Sequence, residues 1–242
     1  MSPNLWRRLL AEFAGTALLV TAVVGSGIMA TRLSADAGLQ LLENSIATAF
    51  ALGALILTFG PVSGAHFNPV VSAADWFLGR RAGTGLSGRE LAGYVVAQVG
   101  GAIGGAVLAD LMFRLPAVDL SARQRAGGDL WLGEVVATAG LLLLIFALAR
   151  SGRAAAAPAA VGAYIGAAYW FTSSTSFANP AVTIGRAFTD TFAGIAPGSV
   201  PGFVAAQLAG LVVGAGLVLA LYPSAGTAAG DVVVRPIEER HR

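Results

Sequence analysis

Cysteine and lysine are absent from this 242-residue sequence, histidine occurs twice, and charged residues make up only 12%. Without cysteine there is no disulfide framework, thiolate nucleophile or Cys-based metal site. His66 and His241 are too few for a histidine metal centre. No phosphate loop or nucleophile–base constellation stands out. No cofactor and no metal are expected, and the chain does not read as an enzyme. The scarcity of charge excludes more. Soluble domains carry about a quarter charged residues, whereas here 56% of residues are hydrophobic and mean hydropathy is +0.73. These figures fit a chain whose partner is the lipid bilayer. The 32 glycines suit that setting, because close backbone approach replaces the missing hydrophobic drive between membrane helices. The net charge of +2 does not argue for a nucleic-acid partner. All fifteen basic residues are arginine, and most lie between apolar segments, where they read as topology signals.

Crossing about 30 Å of hydrocarbon takes roughly 20 apolar residues. Such stretches run over Leu9–Ala30, Ser45–Gly60, Leu91–Phe113, Trp131–Arg150, Pro158–Phe171 and Gly202–Tyr222. Arg7 and Arg8 before the first resemble the start of a signal peptide, but the apolar run continues to Ala30 with no cleavage site followed by a soluble domain. It is read as the first membrane helix. The second and fifth stretches are short and lead into odd apolar segments, Val62–Leu78 and Thr172–Phe188, each with an Asn-Pro pair in its middle. Proline suits a helix's first turn and not its interior. Each odd segment therefore reads as extended chain followed by a half-helix, starting at Asn68-Pro69 and at Asn179-Pro180. Six spans put both termini on one side. With the termini inside, ten arginines lie on the inner side and five on the outer. That balance predicts cytoplasmic termini in a multi-pass protein of the cell inner (plasma) membrane. Residues 223–242 form a polar tail, and no second domain is apparent.

The chain repeats itself. Glu12 answers Glu134 at an offset of 122, Asn68-Pro69-Val70 answers Asn179-Pro180-Ala181 at 111, and Gln98 answers Gln207 at 109. The halves cover about residues 6–115 and 129–222. Each holds three spans, an odd number, so the second enters the membrane inverted. The expected fold is an all-α membrane protein with six transmembrane helices plus two re-entrant half-helices in two inverted repeats. Non-helical backbone at membrane depth must be buried by protein or line a wet cavity, so the two Asn-Pro segments should meet in the interior. Each half-helix N-terminus carries roughly half a positive charge, and two facing each other oppose cations and protons. The amides of Asn68 and Asn179 supply donors. The carbonyls around 64–67 and 175–178 supply a ladder of acceptors. This arrangement suits small neutral hydroxylated solutes.

Glu12 and Glu134 lie inside apolar spans, where a carboxylate costs roughly 2.5 kcal/mol or more. Two readings stand: a proton relay, which would make the protein a proton-coupled secondary transporter with broken helices at the midplane, or a brace for the strained Asn-Pro loops. Because the glutamates repeat with the loops, bracing is the preferred reading. His66 is read either as a gate or pH sensor, or as a further brace.

The segment Ser63-Gly64-Ala65-His66-Phe67-Asn68-Pro69-Val70, with Phe177-Ala178-Asn179-Pro180-Ala181, resembles the two signatures of the aquaporin, or major intrinsic protein, family. The resemblance runs from about Leu9 to Tyr222. It implies one pore per subunit, a homotetramer, and facilitated diffusion without a cofactor. Two departures concern the pore. Val70 stands where the first motif usually has alanine, and Val182 stands where the family normally has an arginine that narrows and charges the filter. By the family's spacing the remaining filter positions are Thr48, Tyr169 and Ser176. Replacing a five-donor guanidinium by Val182 predicts a wider, less charged filter, passing water, glycerol-like polyols and neutral metalloid hydroxides such as arsenous acid. The stretch from Thr175 to Gly194 is similar to bacterial channels associated with arsenic-resistance operons. Arg186, four residues after Val182 and on the same helix face, either returns positive charge to the outer mouth or lies outside the pore, where it snorkels or pairs with Asp190.

Overall fold

The computed structural model describes residues 4–80 and 83–223. The expectation of a polar tail, and the arginines at 81, 235, 240 and 242, lie outside the described residues. Eight helices follow in order: α1 (Leu5–Leu33), α2 (Ala37–Ser63), α3 (Pro69–Gly79), α4 (Gly88–Met112), α5 (Gly128–Arg150), α6 (Ala157–Phe171), α7 (Pro180–Gly185) and α8 (Val200–Leu221). Six are long and apolar enough to cross a membrane, α6 with the help of the 3-10 turn Ala154–Ala156 that precedes it. The short helices α3 and α7 are the half-helices, and Asn68 and Asn179 are their N-caps.

The second span departs from its expected length. The apolar run suggested Ser45–Gly60, but α2 has 27 residues. Gln40, Glu43 and Asn44 dilute its first turns, yet Asp36 caps the N-terminus by accepting from Leu39 N at 2.7 Å. Asn44 turns its amide inward, donating to Val23 O and Ser26 Oγ, both at 2.8 Å. Pro61 is accommodated in the last turn, which closes on Gly64 in the left-handed region at φ 93°. At α4 the start is fixed by a capping box between Ser87 and Glu90.

The halves are built alike. In the first, α4 crosses α1 so closely that a Cβ on Gly101 would meet Phe13 O at 2.3 Å, and one on Gly105 would meet Ala17 O at 2.2 Å. In the second, α8 crosses α5 through Gly210 and Gly214, against Val135 O at 2.8 Å and Ala139 O at 3.0 Å. At Gly101, Gly105 and Gly210 glycine is required by interhelical distance, since a side chain would push the helices apart, whereas Gly214 leaves its neighbour at 3.0 Å. The halves join along α2 and α6, where a Cβ on Gly162 would meet Ala49 O at 2.6 Å. Between them lies a lumen lined by α1, α2, α3, α5, α6, α7 and the two loops that enter α3 and α7.

Candidate functional site: a lumen between two re-entrant loops

Both loops take backbone conformations that side chains resist. Gly64, Ala65 and Phe67 have φ of 93°, 49° and 49°, and Thr175, Ser176 and Ala178 have 61°, 51° and 50°. These are equivalent positions at the offset of 111. Non-glycine residues held there cost about 1–3 kcal/mol each and persist only where the surroundings over-determine them. The surroundings in this case are the two buried glutamates. Glu12 accepts from Ser63 Oγ at 2.6 Å, His66 N at 3.0 Å, Phe67 N at 2.7 Å and Gln98 Nε2 at 2.8 Å. Glu134 accepts from Ser174 Oγ at 2.6 Å, Phe177 N and Ala178 N at 2.8 Å, and Gln207 Nε2 at 2.7 Å. Each carboxylate is fully buried, and four donors surround each one. Gln98 and Gln207 reach on to Ser72 Oγ at 3.0 Å and Thr183 Oγ1 at 2.8 Å in the half-helices. Ser63, Ser174, Ser72 and Thr183 escaped the sequence reading as functional residues, although the 111 spacing pairs each serine with its counterpart.

The asparagines serve as caps and as cross-braces together. Asn68 Oδ1 accepts from Val70 N at 3.1 Å. Asn179 Oδ1 accepts from Ala181 N at 3.0 Å and Val182 N at 3.2 Å. Each amide nitrogen then crosses to the other loop: Asn68 Nδ2 donates to Ala178 O at 2.8 Å, and Asn179 Nδ2 to Phe67 O at 2.7 Å. One hydrogen on each Nδ2 is left over, and both residues line the lumen. The acceptor ladder is shorter than the sequence suggested, because the carbonyls of Phe67 and Ala178 are taken by this exchange. Among the described residues, no protein donor reaches the carbonyls of 64–66 or 175–177. Pro69 and Pro180 hold the first helical turn. Val70 and Ala181 are wholly buried behind the caps and do not line the lumen.

The lumen, about 70 Å³, has space for a file of a few water-sized molecules, since one needs roughly 10–15 Å³ by that measure. Its apolar lining includes Leu19, Val23, Leu52, Ile56, Leu141 and Ile165, and its polar lining includes Asn68, Asn179 and the loops that precede them. All four expected filter residues, Thr48, Tyr169, Ser176 and Val182, line it. Thr48 Oγ1 and Tyr169 OH are 3.1 Å apart. His66 also lines it, with Nδ1 3.0 Å from Ser72 Oγ and its ring edge-on to Tyr94 at 5.4 Å. Tyr94 in turn donates to Ser63 O at 2.6 Å and accepts from Arg8 Nε at 2.9 Å, and Arg8 pairs with Glu90.

Arg186 is 3% exposed and lines the lumen with Val182. The expected alternative of a pair with Asp190 is not formed: Asp190 accepts from Ser121 Oγ and Ala122 N, while Arg186 Nε donates to Ala193 O. The guanidinium carbon lies 3.4 Å from the centroid of Phe177. A second arginine joins it that no motif pointed to. Arg125, from the loop between α4 and α5, lies 5.2 Å from the same ring and donates through Nε to Gly194 O at 2.9 Å. Burial, and next the neighbouring Arg123, push its guanidinium down to about 10. Among the described residues, no cluster of three or more metal-binding side chains is found.

Residues 1–178 match the family model for the major intrinsic protein. The chain is 55% identical over 209 residues to aquaglyceroporin AqpS of Rhizobium meliloti, covering 86% of this chain and 87% of that one. It is 33% identical over 227 residues to the glycerol uptake facilitator protein of Pseudomonas aeruginosa, covering 81% and 78%. Among solved structures, the aquaglyceroporin from Plasmodium falciparum superposes with a TM-score of 0.69 at 20% identity, over 93% of this chain and all of the other. That last likeness speaks to the fold alone. With two inverted halves, paired half-helices and a lumen between them already in place, these matches assign the chain to the major intrinsic protein family: it is a multi-pass membrane protein and a passive channel, not an enzyme.

Proposed function

We propose that this channel passes small neutral solutes larger than water, glycerol-like polyols foremost, through a filter formed by Thr48, Tyr169, Ser176 and Val182. The observation that carries the reading is the lumen's mixed lining. Apolar side chains border it together with hydroxyls, free loop carbonyls and the spare amide hydrogens of Asn68 and Asn179, which matches a molecule with both a carbon backbone and hydroxyls. Two relatives are named for glycerol or as an aquaglyceroporin, which points the same way. Val182 in place of a long cation widens this filter, so uncharged metalloid hydroxides such as arsenous acid belong to the same class. Arg186 supplies positive charge one turn further out and keeps cations away. Glu12, Glu134 and His66 hold the loops. The working unit is a homotetramer with one lumen per subunit, in the plasma membrane with both termini cytoplasmic.

Swelling of proteoliposomes tests this. Glycerol flux should be linear in its gradient and unchanged by imposed pH or sodium gradients. Saturable flux driven by a proton gradient would replace the channel reading with the coupled-transporter one. Arg186→Ala should raise cation leak; an unchanged leak and unchanged solute selectivity would remove Arg186 from the pore.

A further inference from the structure

Two arginines on the side of the molecule opposite Leu5 share one phenyl ring and form no ion pair with a carboxylate among the described residues. Arg186 and Arg125 both face Phe177, at 3.4 and 5.2 Å from its centroid. Each commits its Nε to the backbone of one short stretch, Ala193 O and Gly194 O. The terminal nitrogens of Arg186 have no protein acceptor among the described residues, although the residue is almost wholly enclosed and borders the lumen. Three carboxylates of this region make other contacts. Asp190 takes Ser121 and Ala122, Asp110 takes Thr189, and Glu134 is surrounded by its four donors. Attraction to the ring face holds each cation in place. It does not cancel their mutual repulsion in a poorly screened setting, and buried charges are ordinarily paired. The missing partner is one negative charge with at least two acceptor oxygens, since guanidinium donors bind planar oxyanions in a fork.

We propose that Arg186 and Arg125, seated on Phe177, form a binding site for one small monovalent oxyanion of the carboxylate type at the end of the lumen opposite Leu5. The site extends the reading of Arg186 as a lumen residue and rests on it. It adds a resident anion to a path otherwise suited to neutral solutes. Its occupant is small, because the lumen beside it is about 70 Å³.

The test is titration of ¹³C-labelled formate into the purified full-length protein, read by NMR line broadening, with ionic strength held constant by a bulky organic sulfonate. The wild type should broaden the signal saturably. R186Q and R125Q should each weaken the apparent affinity at least tenfold, and R153Q, which removes an exposed arginine from another loop, should leave it unchanged. Size-exclusion chromatography identifies a variant that fails to fold; if R186Q does, R125Q decides. Broadening that never saturates in the wild type, or saturable binding that survives R125Q in folded protein, overturns the proposal. Glycerol swelling measured without formate on the same preparations keeps the two readings apart: flux without formate binding sinks only the anion site, and binding without flux sinks only the channel's solute assignment.

Discussion

The two re-entrant loops have the same scaffold and different chemistry. Both are held by a buried glutamate with four donors, a serine at the loop entry, a glutamine reaching from the third span of the half, and an asparagine that caps one half-helix while bracing the other. They part at two equivalent pairs of side chains. The first loop sets His66 edge-on to Tyr94, and both make polar contacts, to Ser72 and to Ser63 O and Arg8. The second sets Phe177 edge-on to Phe203 at 5.0 Å, an apolar pair whose outer surface carries two guanidiniums. The half-helices differ too: α3 has eleven residues, while α7 has six and tightens into a 3-10 turn bearing Arg186. The duplicated parts are those that hold strained backbone. Among the unduplicated ones, His66, Phe177 and Arg186 border the lumen.

This division can be broken from the scaffold side first. Glu12→Gln and Glu134→Gln should do comparable damage, because each turns an acceptor of backbone N–H into a donor and leaves buried groups unpaired, at about 1–3 kcal/mol per group. Thermal unfolding in detergent should show each variant losing roughly 3 kcal/mol or more, with solute flux lost alongside. If either glutamate is replaceable without cost, the bracing account of that loop fails. The next largest difference lies between the helix crossings. Gly105→Ala places a Cβ 2.2 Å from Ala17 O, whereas Gly214→Ala meets Ala139 O at 3.0 Å. Overpacking of the first kind costs about 1–3 kcal/mol. The second should be close to neutral, since alanine also favours helix over glycine by nearly 1 kcal/mol. Equal melting points for the two variants would contradict the tighter first crossing. Tyr94→Phe makes the first half more like the second. Ser63 O loses its donor and Arg8 an acceptor, so stability should fall by about 1–2 kcal/mol while the second loop's contacts with solute are left alone. A change in solute preference larger than the change in stability would place Tyr94 in selection instead.

Much of this was legible in the sequence, because it was written twice. Periodicity and length located the spans, and the inverted order of Glu, Asn-Pro and Gln placed the loops face to face. The polar start of α2 was not legible, since Gln40, Glu43 and Asn44 break the apolar run, while Asp36 caps the helix, Gln40 donates to Ser34 O and Asn44 donates to Val23 O of α1. Nor was the use of the Phe67 and Ala178 carbonyls by the opposite asparagine, which depends on three-dimensional approach. Arg125 was hidden for a different reason. It has no counterpart in the first half, and its loop carries no motif. The spacing of Arg186 from Val182 left two positions open, inside the lumen or against Asp190, and packing on Phe177 selects the first.

The account turns on Val182, the apolar residue at the narrowest expected ring. Stopped-flow measurement of water, glycerol and arsenous acid flux through wild type and Val182→Arg tests it most directly. The wild type should pass glycerol readily, and the arginine should cut glycerol and arsenous acid flux by tenfold or more, corresponding to roughly 1.4 kcal/mol of added barrier, while sparing water. Undiminished glycerol flux through correctly folded Val182→Arg would contradict the assignment of the filter.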